Sequence, residues 1–417
     1  MDPFRYKDLQ IGFTEHFIYL WNNRHPMAGT IGSQKATFWR PRISQQLFGY
    51  HPVGDCIYPH FDDINYKHMV PIVRDIEGAQ GTALREPLSY EQVWDSEGFN
   101  TQNHKGSWNT SLWRPIPPPG YVAMGLVVGN GLEQPRTDAV RCLREDLVIE
   151  SSIGDLIWSN RGSQADKDFS AWDITPPAAL AGEVYFCANT FAGIGAYTKP
   201  NTMATAYALR VSMPVTATIP ADAPQLTSHA EPSSLDSNTR TGFTELPWFT
   251  IKDPQLSAFE QVSQSPTYKV ERTDRYILIG HGHNTAESPQ RYNWSTTTGI
   301  NSAAANTFSA TTSIDIRAPW AVATHFKASA KLSAITTPQG WSEAKTLNIW
   351  SDIAPNTALA FYLVESRYRL LRKDGSQIGE TLLYKDDQAS YWTEYPQGNA
   401  CKVGIKLNSS ASRADQR

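Results

Sequence analysis

The sequence predicts an all-β protein, in which a pseudo-threefold β-prism precedes an elongated antiparallel β domain. Three observations support this fold class. Tryptophan and proline recur in the same order in three segments of the first half. Residues 295–316 alternate in polarity at every second position, which is the period of a strand. The chain also has 13 Trp and 18 Tyr among 417 residues, a usage typical of β modules with aromatic repeats.

The three repeats share an aromatic strand, a second strand with its own tryptophan, and a following glycine. Related β units within one domain predict small sheets packed about a pseudo-threefold axis and a common aromatic core. The third repeat is the faintest. The matching strings are FIYLW at 17–21, FWRP at 38–41 and Gly49; SYEQVW at 89–94, LWRP at 112–115 and Gly120; LIW at 156–158, AWDI at 171–174 and Gly182.

Domain boundaries follow from composition. Residues 214–247 are rich in Pro, Ser, Thr and Ala and lack an apolar period, so they predict a linker. We therefore expect a β-prism at 1–213, which would bind a membrane or receptor, and a second β domain at 248–417. Residues 268–272 and 276–280 predict short strands in that second domain.

The stretch 295–316 combines a mildly apolar face with a polar face of hydroxyls and small residues. Such a strand suits a segment that rests on a soluble protein in one state and lines a water-filled barrel in a bilayer in another. A long exposed strand of a soluble sheet would show the same pattern. Residues 325–333 alternate in the same way and predict the second strand of an extended hairpin.

The alternation in polarity predicts which side chains of this hairpin face the lipid and which face the lumen of the barrel. Asn306 interrupts the apolar face, and the position of the hairpin tip stays open. The membrane-facing candidates are Ile300, Ala304, Phe308, Ala310, Ile314 and Ile316, and the lumen candidates are Thr307, Ser309, Thr311, Ser313, Asp315, Lys327 and Lys331.

The string LWRPIPPPGYVAMGLVVGNG at 112–131, with VRCLREDLVIES at 140–151 and LIWSNRGS at 156–163, resembles the vacuolar-protein-sorting-sixty-two-related family. The similarity covers about residues 15–215. It implies a β-prism that docks on membranes or other surfaces, and it does not imply an enzyme. Residues 42–46 of the first repeat depart from the proline-rich pattern of the second.

A second resemblance covers about residues 248–395. The order Asn284-Thr285, Trp294 to Gly299, the alternating stretch and Ile353 to Thr357 is similar to the aerolysin-like toxins, especially their epsilon-toxin and mosquitocidal-toxin branch. This resemblance implies a domain that oligomerises into a ring and refolds a Ser/Thr-rich hairpin into a membrane barrel. The inserting segment would then lie within 295–316.

Charge and motifs exclude several other functions. Lys and Arg number 37 against 41 acids, so the net charge of -4 leaves no basic surplus for nucleic acid. Common nucleophile, zincin and nucleotide-binding strings are absent, which disfavours an enzyme. No run of roughly 20 apolar residues predicts a transmembrane helix. The polar start MDPFRYKDLQIGFTEHF predicts no signal peptide, so we expect a soluble protein that is stored, or released by another route, and then reaches a target-cell membrane.

Several side chains have both a functional and a structural interpretation. Trp39 and Arg40, with Trp113, Arg114 and Tyr121, could bind a glycan or lipid headgroup, or could pack within the prism with the arginine stems across the rings. His281 and His283 could bind a metal on one strand face, although no third ligand is evident. Asp55 and Asp155 could be catalytic acids or turn residues. The four cysteines fit zero, one or two disulfides.

We therefore expect a cofactor-free pore-forming toxin or defence protein that binds a membrane lipid or glycan receptor and assembles into a homo-oligomer. The alternative is a non-lytic lectin or trafficking adaptor whose second domain is a β spacer. A carbohydrate-active enzyme is a more distant alternative, since it would need paired carboxylates in a cleft.

Overall fold

Two compact units make up the chain. The prism unit comprises Met1–Ser212 and Pro319–Lys331, and the long-sheet unit comprises Met213–Ala318 and Leu332–Arg417. The computed structural model describes residues 4–25, 29–30, 34–77, 80–97, 109–163, 165–180, 182–201, 205–213, 215–217, 223–233, 239–299, 322–323, 327–330, 345–398 and 401–408.

Nearly all regular structure in the described residues is β. Short 3-10 helices occur at Gln45–Leu47, Thr137–Ala139, Glu145–Leu147 and Trp248–Thr250. The first twenty strands are Phe4–Tyr6 (β1), Leu9–Thr14 (β2), Phe17–Asn22 (β3), Arg24–His25 (β4), Gly29–Thr30 (β5), Thr37–Pro41 (β6), Cys56–Tyr58 (β7), Val70–Asp75 (β8), Leu84–Arg85 (β9), Ser89–Asp95 (β10), Ser111–Ile116 (β11), Tyr121–Val122 (β12), Val127–Val128 (β13), Cys142–Arg144 (β14), Val148–Glu150 (β15), Ser152–Ser159 (β16), Ser170–Thr175 (β17), Glu183–Phe186 (β18), Ala192–Ile194 (β19) and Tyr207–Ser212 (β20).

The second half contains longer strands and a short helix. In chain order these elements are Val215–Ala217 (β21), Thr239–Pro247 (β22), Ala258–Gln264 (α1), Thr267–Asn284 (β23), Gln290–Thr298 (β24), Val322–Ala323 (β25), Lys327–Ala330 (β26), Lys345–Ile353 (β27), Thr357–Leu371 (β28), Gln377–Tyr395 (β29) and Lys402–Asn408 (β30).

Three antiparallel sheets of three strands form the repeats of the prism unit. Their strand orders are β3-β6-β7, β10-β11-β13 and β16-β17-β19. The register is the same in each sheet and confirms the predicted pseudo-threefold repeat. The equivalent cross-strand pairs are Trp21 with Phe38, Trp94 with Leu112, and Trp158 with Ala171.

Three indole rings meet at the centre of the prism unit. The ring centroids of Trp21, Trp94 and Trp158 lie 6.1 to 6.4 Å apart in edge-on contacts. All three side chains are buried. The indole N–H of Trp94 donates to the carbonyl of Lys167 at 3.0 Å, so a buried polar group keeps a partner. The first tryptophan of each repeat therefore builds the shared core.

A glycine turn follows the second tryptophan strand of every repeat. Gly49, Gly120 and Gly182 have φ values of 83°, 80° and 76°, a region that residues with a Cβ rarely adopt. After each turn the chain pairs with a further strand of its repeat. The partners are His51 with Val73 of β8, β12 with β14, and β18 with β20. The recurrence of glycine in the sequence thus reflects one turn used three times.

In its described residues, the long-sheet unit has two antiparallel sheets. The larger has the order β21-β22-β23-β28-β29, and the smaller has the order β24-β27-β30. Strand β23 has 18 residues and β29 has 19, so each extends for roughly 60 Å at about 3.3 Å per residue. Apolar side chains from both sheets, including Ile349, Phe361 and Trp294, pack into one core.

Strand β23 has two glycines where aromatic rings of β24 lie directly on its backbone. A Cβ at Gly280 would lie 2.3 Å from Cγ of Trp294, and one at Gly282 would lie 2.7 Å from Cδ1 of Tyr292. His281 and His283 alternate with these glycines and therefore point to the opposite face of the strand. The sequence GHGH thus allows close packing on one face and imidazoles on the other.

We expect Gly280→Ala to lower the free energy of unfolding by roughly 1–3 kcal/mol, because the added methyl would overpack against Trp294. Urea unfolding monitored by circular dichroism measures this loss. Gly398→Ala is the matched control, since a Cβ there would meet nothing within 4 Å. Equal stability of the two variants would contradict the close packing.

Candidate functional site

Strands β24 and β27 flank the segment that is predicted to insert. They pair along their whole length, from Gln290 opposite Ile353 to Thr298 opposite Lys345. The N–H of Gly299 donates to the carbonyl of Lys385 at 2.8 Å, and Gly299 has a φ of 80°. Strand β24 therefore ends at Thr298, directly beside Lys345, where β27 begins.

Most of the predicted membrane and lumen residues fall between these two points, outside the described residues. Those outside are Ile300, Ala304, Phe308, Ala310, Ile314, Ile316, Thr307, Ser309, Thr311, Ser313, Asp315 and Lys331.

The remaining lumen candidate, Lys327, begins strand β26 of the prism unit. This strand pairs antiparallel with β18, with Ala330 opposite Val184 and Ala328 opposite Phe186. Part of the second predicted hairpin strand thus lies in a sheet of the prism unit, between β18 and β25.

Trp39 and Arg40, two of the predicted receptor residues, lie in the first repeat. Trp39 is 5% exposed and packs edge-on against the half-exposed ring of Tyr19, with centroids 5.5 Å apart. Arg40 donates two hydrogen bonds to Asp55, Nε to Oδ1 at 2.7 Å and Nη2 to Oδ2 at 2.8 Å. Burial disfavours the Arg40 cation, yet the facing carboxylate holds the pKa of Arg40 above its usual value.

Asp55 is fully buried and connects two repeats. Its Oδ2 also accepts from the backbone N–H of Val128, at 2.7 Å, and Arg40 donates to the carbonyl of the same residue at 2.9 Å. Because strands of the first and second repeats share this ion pair, Arg40 and Asp55 stabilise the prism.

The other predicted receptor residues, Trp113, Arg114 and Tyr121, lie in the second repeat and reach solvent. The indole N–H of Trp113 donates to Oγ of Ser111 at 2.8 Å. Arg114 forms an exposed ion pair with Glu91 at 2.9 Å. The hydroxyl of Tyr121 donates to the carbonyl of Thr82 at 2.6 Å. Trp113 and Arg114 are consecutive on β11 and so point to opposite faces of that strand, whereas Tyr121 lies on β12 of another sheet.

Exposed apolar residues near the glycine turns were not identified from the sequence. Phe48 precedes Gly49 and is 85% exposed, and Leu180 lies just before Gly182 and is 63% exposed. Since the two turns are equivalent by the pseudo-threefold repeat, these side chains mark related positions. An apolar residue beside a repeated turn glycine is the signal that could have indicated them.

A segment within residues 214–247 packs on the larger sheet of the long-sheet unit, and residues 223–233 of it are here called the strap. Leu226 of the strap is buried against Ala358 and Ala360 of β28. Its backbone N–H donates to Oγ1 of Thr393 at 3.4 Å, and the amide of Gln225 donates to the hydroxyl of Tyr391 at 2.5 Å. The strap therefore covers one face of β28 and β29.

Three histidines meet where the strap lies against β23. The ring of His229 stacks on that of His283, with centroids 4.4 Å apart and planes 29° apart. Nε2 of His229 lies 3.1 Å from the carbonyl of Asn356, and the ring of Tyr395 contacts it edge-on. Burial lowers the pKa of His281. His229 is far from the other two in sequence, so the pattern at 281–283 alone could not reveal the cluster.

Asp155 and the cysteines have no catalytic arrangement among the described residues. Asp155 is exposed on β16. All four cysteines are free thiols and buried. Burial raises the pKa of Cys142 and of Cys401 to about 12, so both thiols stay protonated at neutral pH. Within the described ranges, no group of three or more His, Cys, Asp or Glu is arranged to hold a metal ion.

A family model, that of vacuolar protein sorting-associated protein 62, matches residues 8–226. The chain belongs to this family. The residues that match the Vps62 model contain all three prism repeats and the first part of the strap. No curated protein sequence matches the chain. Among the described residues, no helix is long and apolar enough to cross a bilayer.

The solved structures that are similar to the chain include the two described next. The crystal structure of GNIP1Aa from Chromobacterium piscinae is 24% identical, with a TM-score of 0.38, over 47% of this chain and 34% of that one. The crystal structure of Cry35Ab1 is 9% identical, with a TM-score of 0.36, over 93% of this chain and 90% of that one. The chain therefore spans about a third of the length of GNIP1Aa.

Proposed function

We propose that the chain is a pore-forming toxin or defence protein. The prism unit binds a lipid or glycan receptor, several copies assemble, and the alternating stretch at 295–316 inserts as part of a transmembrane β-barrel. One observation carries this proposal: the span 299–344 joins two strands that lie side by side, Thr298 being paired with Lys345. A hairpin needs its two ends adjacent in this way.

The length and polarity of that span fit two membrane strands. A barrel strand crosses a bilayer in about 9–11 residues, so two strands and a turn need roughly 25 residues, fewer than the span contains. Apolar and polar residues alternate along 295–316, as the lipid and lumen sides of such a strand require.

Assembly is part of this mechanism because of the backbone. Every N–H and C=O group within the hydrocarbon needs a partner, and a lone hairpin leaves its outer edges unpaired. Hairpins from several copies close the barrel and pair these edges. We therefore expect the chain to form a homo-oligomer on the membrane.

The receptor contact is assigned to the prism unit, at the solvent-reaching residues Trp113, Arg114 and Tyr121. Amphipathic aromatic rings and arginine suit sugar faces and lipid headgroups. Binding is proposed in preference to catalysis, because the carboxylate of Asp55 is already bound by Arg40 and by the N–H of Val128.

The test uses vesicles that contain a fluorescent dye and carry lipids or glycolipids extracted from susceptible cells. The expected results are dye release and an SDS-resistant oligomer. Binding with neither release nor oligomer would overturn the pore and favour the non-lytic lectin or adaptor.

A matched pair of substitutions tests the orientation of the inserting strand. Phe308→Asp places a charge on the proposed lipid face, where a charged side chain destabilises the inserted barrel, so we expect dye release to fall at least tenfold. Ser309→Asp places the same charge in the lumen and should leave release within about twofold. Equal losses in the two variants would contradict the alternation.

A further inference from the structure

The strap is held over β23 by imidazole rings that have few other partners. Within the described part of the chain, Nε2 of His281 and Nε2 of His283 are buried without a hydrogen-bond partner. The backbone of His229 makes a hydrogen bond with the His281 ring. The stacked pair of His229 and His283 and the contact to His281 thus join the strap to one face of the sheet.

Few charges face this cluster. Glu231 of the strap is exposed and attracts the His281 cation, whereas His283 repels it. Strand β29 contributes the neutral ring of Tyr395, and the turn before β28 contributes the carbonyl of Asn356. The residues of β28 under the strap, Ala358 and Ala360, carry no charge.

The acid next to Tyr395 is directed elsewhere. Glu394 alternates with Tyr395 along β29 and so lies on the other face, where it accepts from the N–H of Gly398 at 3.1 Å and of Cys401 at 3.0 Å. Among the described residues, Glu231 is therefore the acid that acts on these histidine rings.

Neutral imidazoles stack, but two imidazolium rings at a centroid distance of 4.4 Å repel each other. Imidazole gains its charge as the pH falls through the range from about 7 to 5. We propose that residues 223–233 are a pH-sensitive strap, held at neutral pH by His229 stacked on His283 and released from the larger sheet on acidification.

The sign of the linkage at His281 agrees with this proposal. While the strap lies on the sheet, the pKa of His281 is lowered, chiefly by burial. The neutral ring therefore contributes stability that is present above the ordinary histidine pKa and is lost as the pH falls below it. Acid thus favours the state in which the strap leaves and the ring meets water.

Release would uncover an apolar face that the strap covers at neutral pH. Leu226 would leave Ala358, Ala360 and Tyr362, which form a strip along β28. This device stands independently of pore formation, because its geometry lies wholly within the long-sheet unit.

A nitroxide spin label on Thr227→Cys measures the release, since Thr227 is exposed and the four native thiols are buried. We expect the ratio of mobile to immobile label to rise at least tenfold between about pH 7.5 and about pH 5.5. In the same background, His229→Phe keeps a stacked ring without a charge and should abolish the rise. His16→Phe, in the prism unit, should retain it.

A label on Ser152→Cys, exposed on β16, shows whether the prism unit stays folded across this pH range. A strap label whose mobility does not change with pH would overturn the proposal, as would an undiminished rise in His229→Phe. Should His229→Phe already be mobile at about pH 7.5, His283→Phe makes the same test from the other ring of the stack.

Discussion

Val184→Cys combined with Ala330→Cys is expected to reduce dye release at least tenfold under oxidising conditions. Val184 and Ala330 are Cα partners across β18 and β26, and paired strand positions lie within the distance that a disulfide spans. The cross-link would fix residue 330 to the prism unit, so the second hairpin strand could not leave. Vesicle leakage before and after reduction measures the effect, and reduction should restore release.

The controls separate the effect of the disulfide from the effect of the two cysteine substitutions. Each single cysteine variant should release dye as the parent does. Ser152→Cys with Thr175→Cys joins partners in β16 and β17, away from the segment, and should have no effect. Full release by the oxidised Val184–Ala330 variant would show that β26 need not detach, and it would contradict the proposed movement while leaving pore formation itself intact.

Asp55→Ala is expected to lower the free energy of unfolding of the prism unit by roughly 3–5 kcal/mol, because Arg40 would lose its partner in a buried setting. Asp55 has no exposed surface, and the Arg40 side chain is 20% exposed. Chemical unfolding, followed by the fluorescence of the central tryptophans, measures the loss. Asp62→Ala removes a carboxylate that is 79% exposed and should change stability by less than about 0.5 kcal/mol.

A double substitution distinguishes two causes of the stability loss in Asp55→Ala, namely the unpaired cation of Arg40 and the packing that the Asp55 side chain provided. Arg40→Met with Asp55→Leu removes both charges and should recover most of the stability lost in Asp55→Ala. If Asp55→Ala unfolds like the parent, the ion pair is not a connection between the first and second repeats.

Repetition made the prism predictable from sequence. Trp21, Trp94 and Trp158 each precede a second tryptophan strand in the same order, so one alignment of strings indicates both the strands and their shared core. The glycines at 49, 120 and 182 were visible in the sequence for a similar reason, because the equivalent turn of each repeat requires a residue with positive φ. A local sequence pattern that occurs three times can be recognised without knowledge of any long-range contact.

Contacts between distant residues were not visible in this way. Arg40 finds Asp55 and Val128 through the packing of two repeats, and His229 finds His283 only because the strap crosses β23. Composition described residues 214–247 as polar and irregular, yet it held no information on which sheet face Leu226 would cover. Phe48 looked like an ordinary apolar residue until its exposure was known.

The four buried thiols have a consequence for where the chain can work. With no cystine in the fold, passage between a reducing cytosol and an oxidising exterior leaves its covalent structure unchanged. Burial raises the pKa of Cys142 to about 12, so this thiol stays protonated near neutral pH and is a poor nucleophile for thiol exchange. Hydrogen bonds, ion pairs and apolar packing, rather than cystine cross-links, therefore hold the fold together in a reducing or an oxidising compartment.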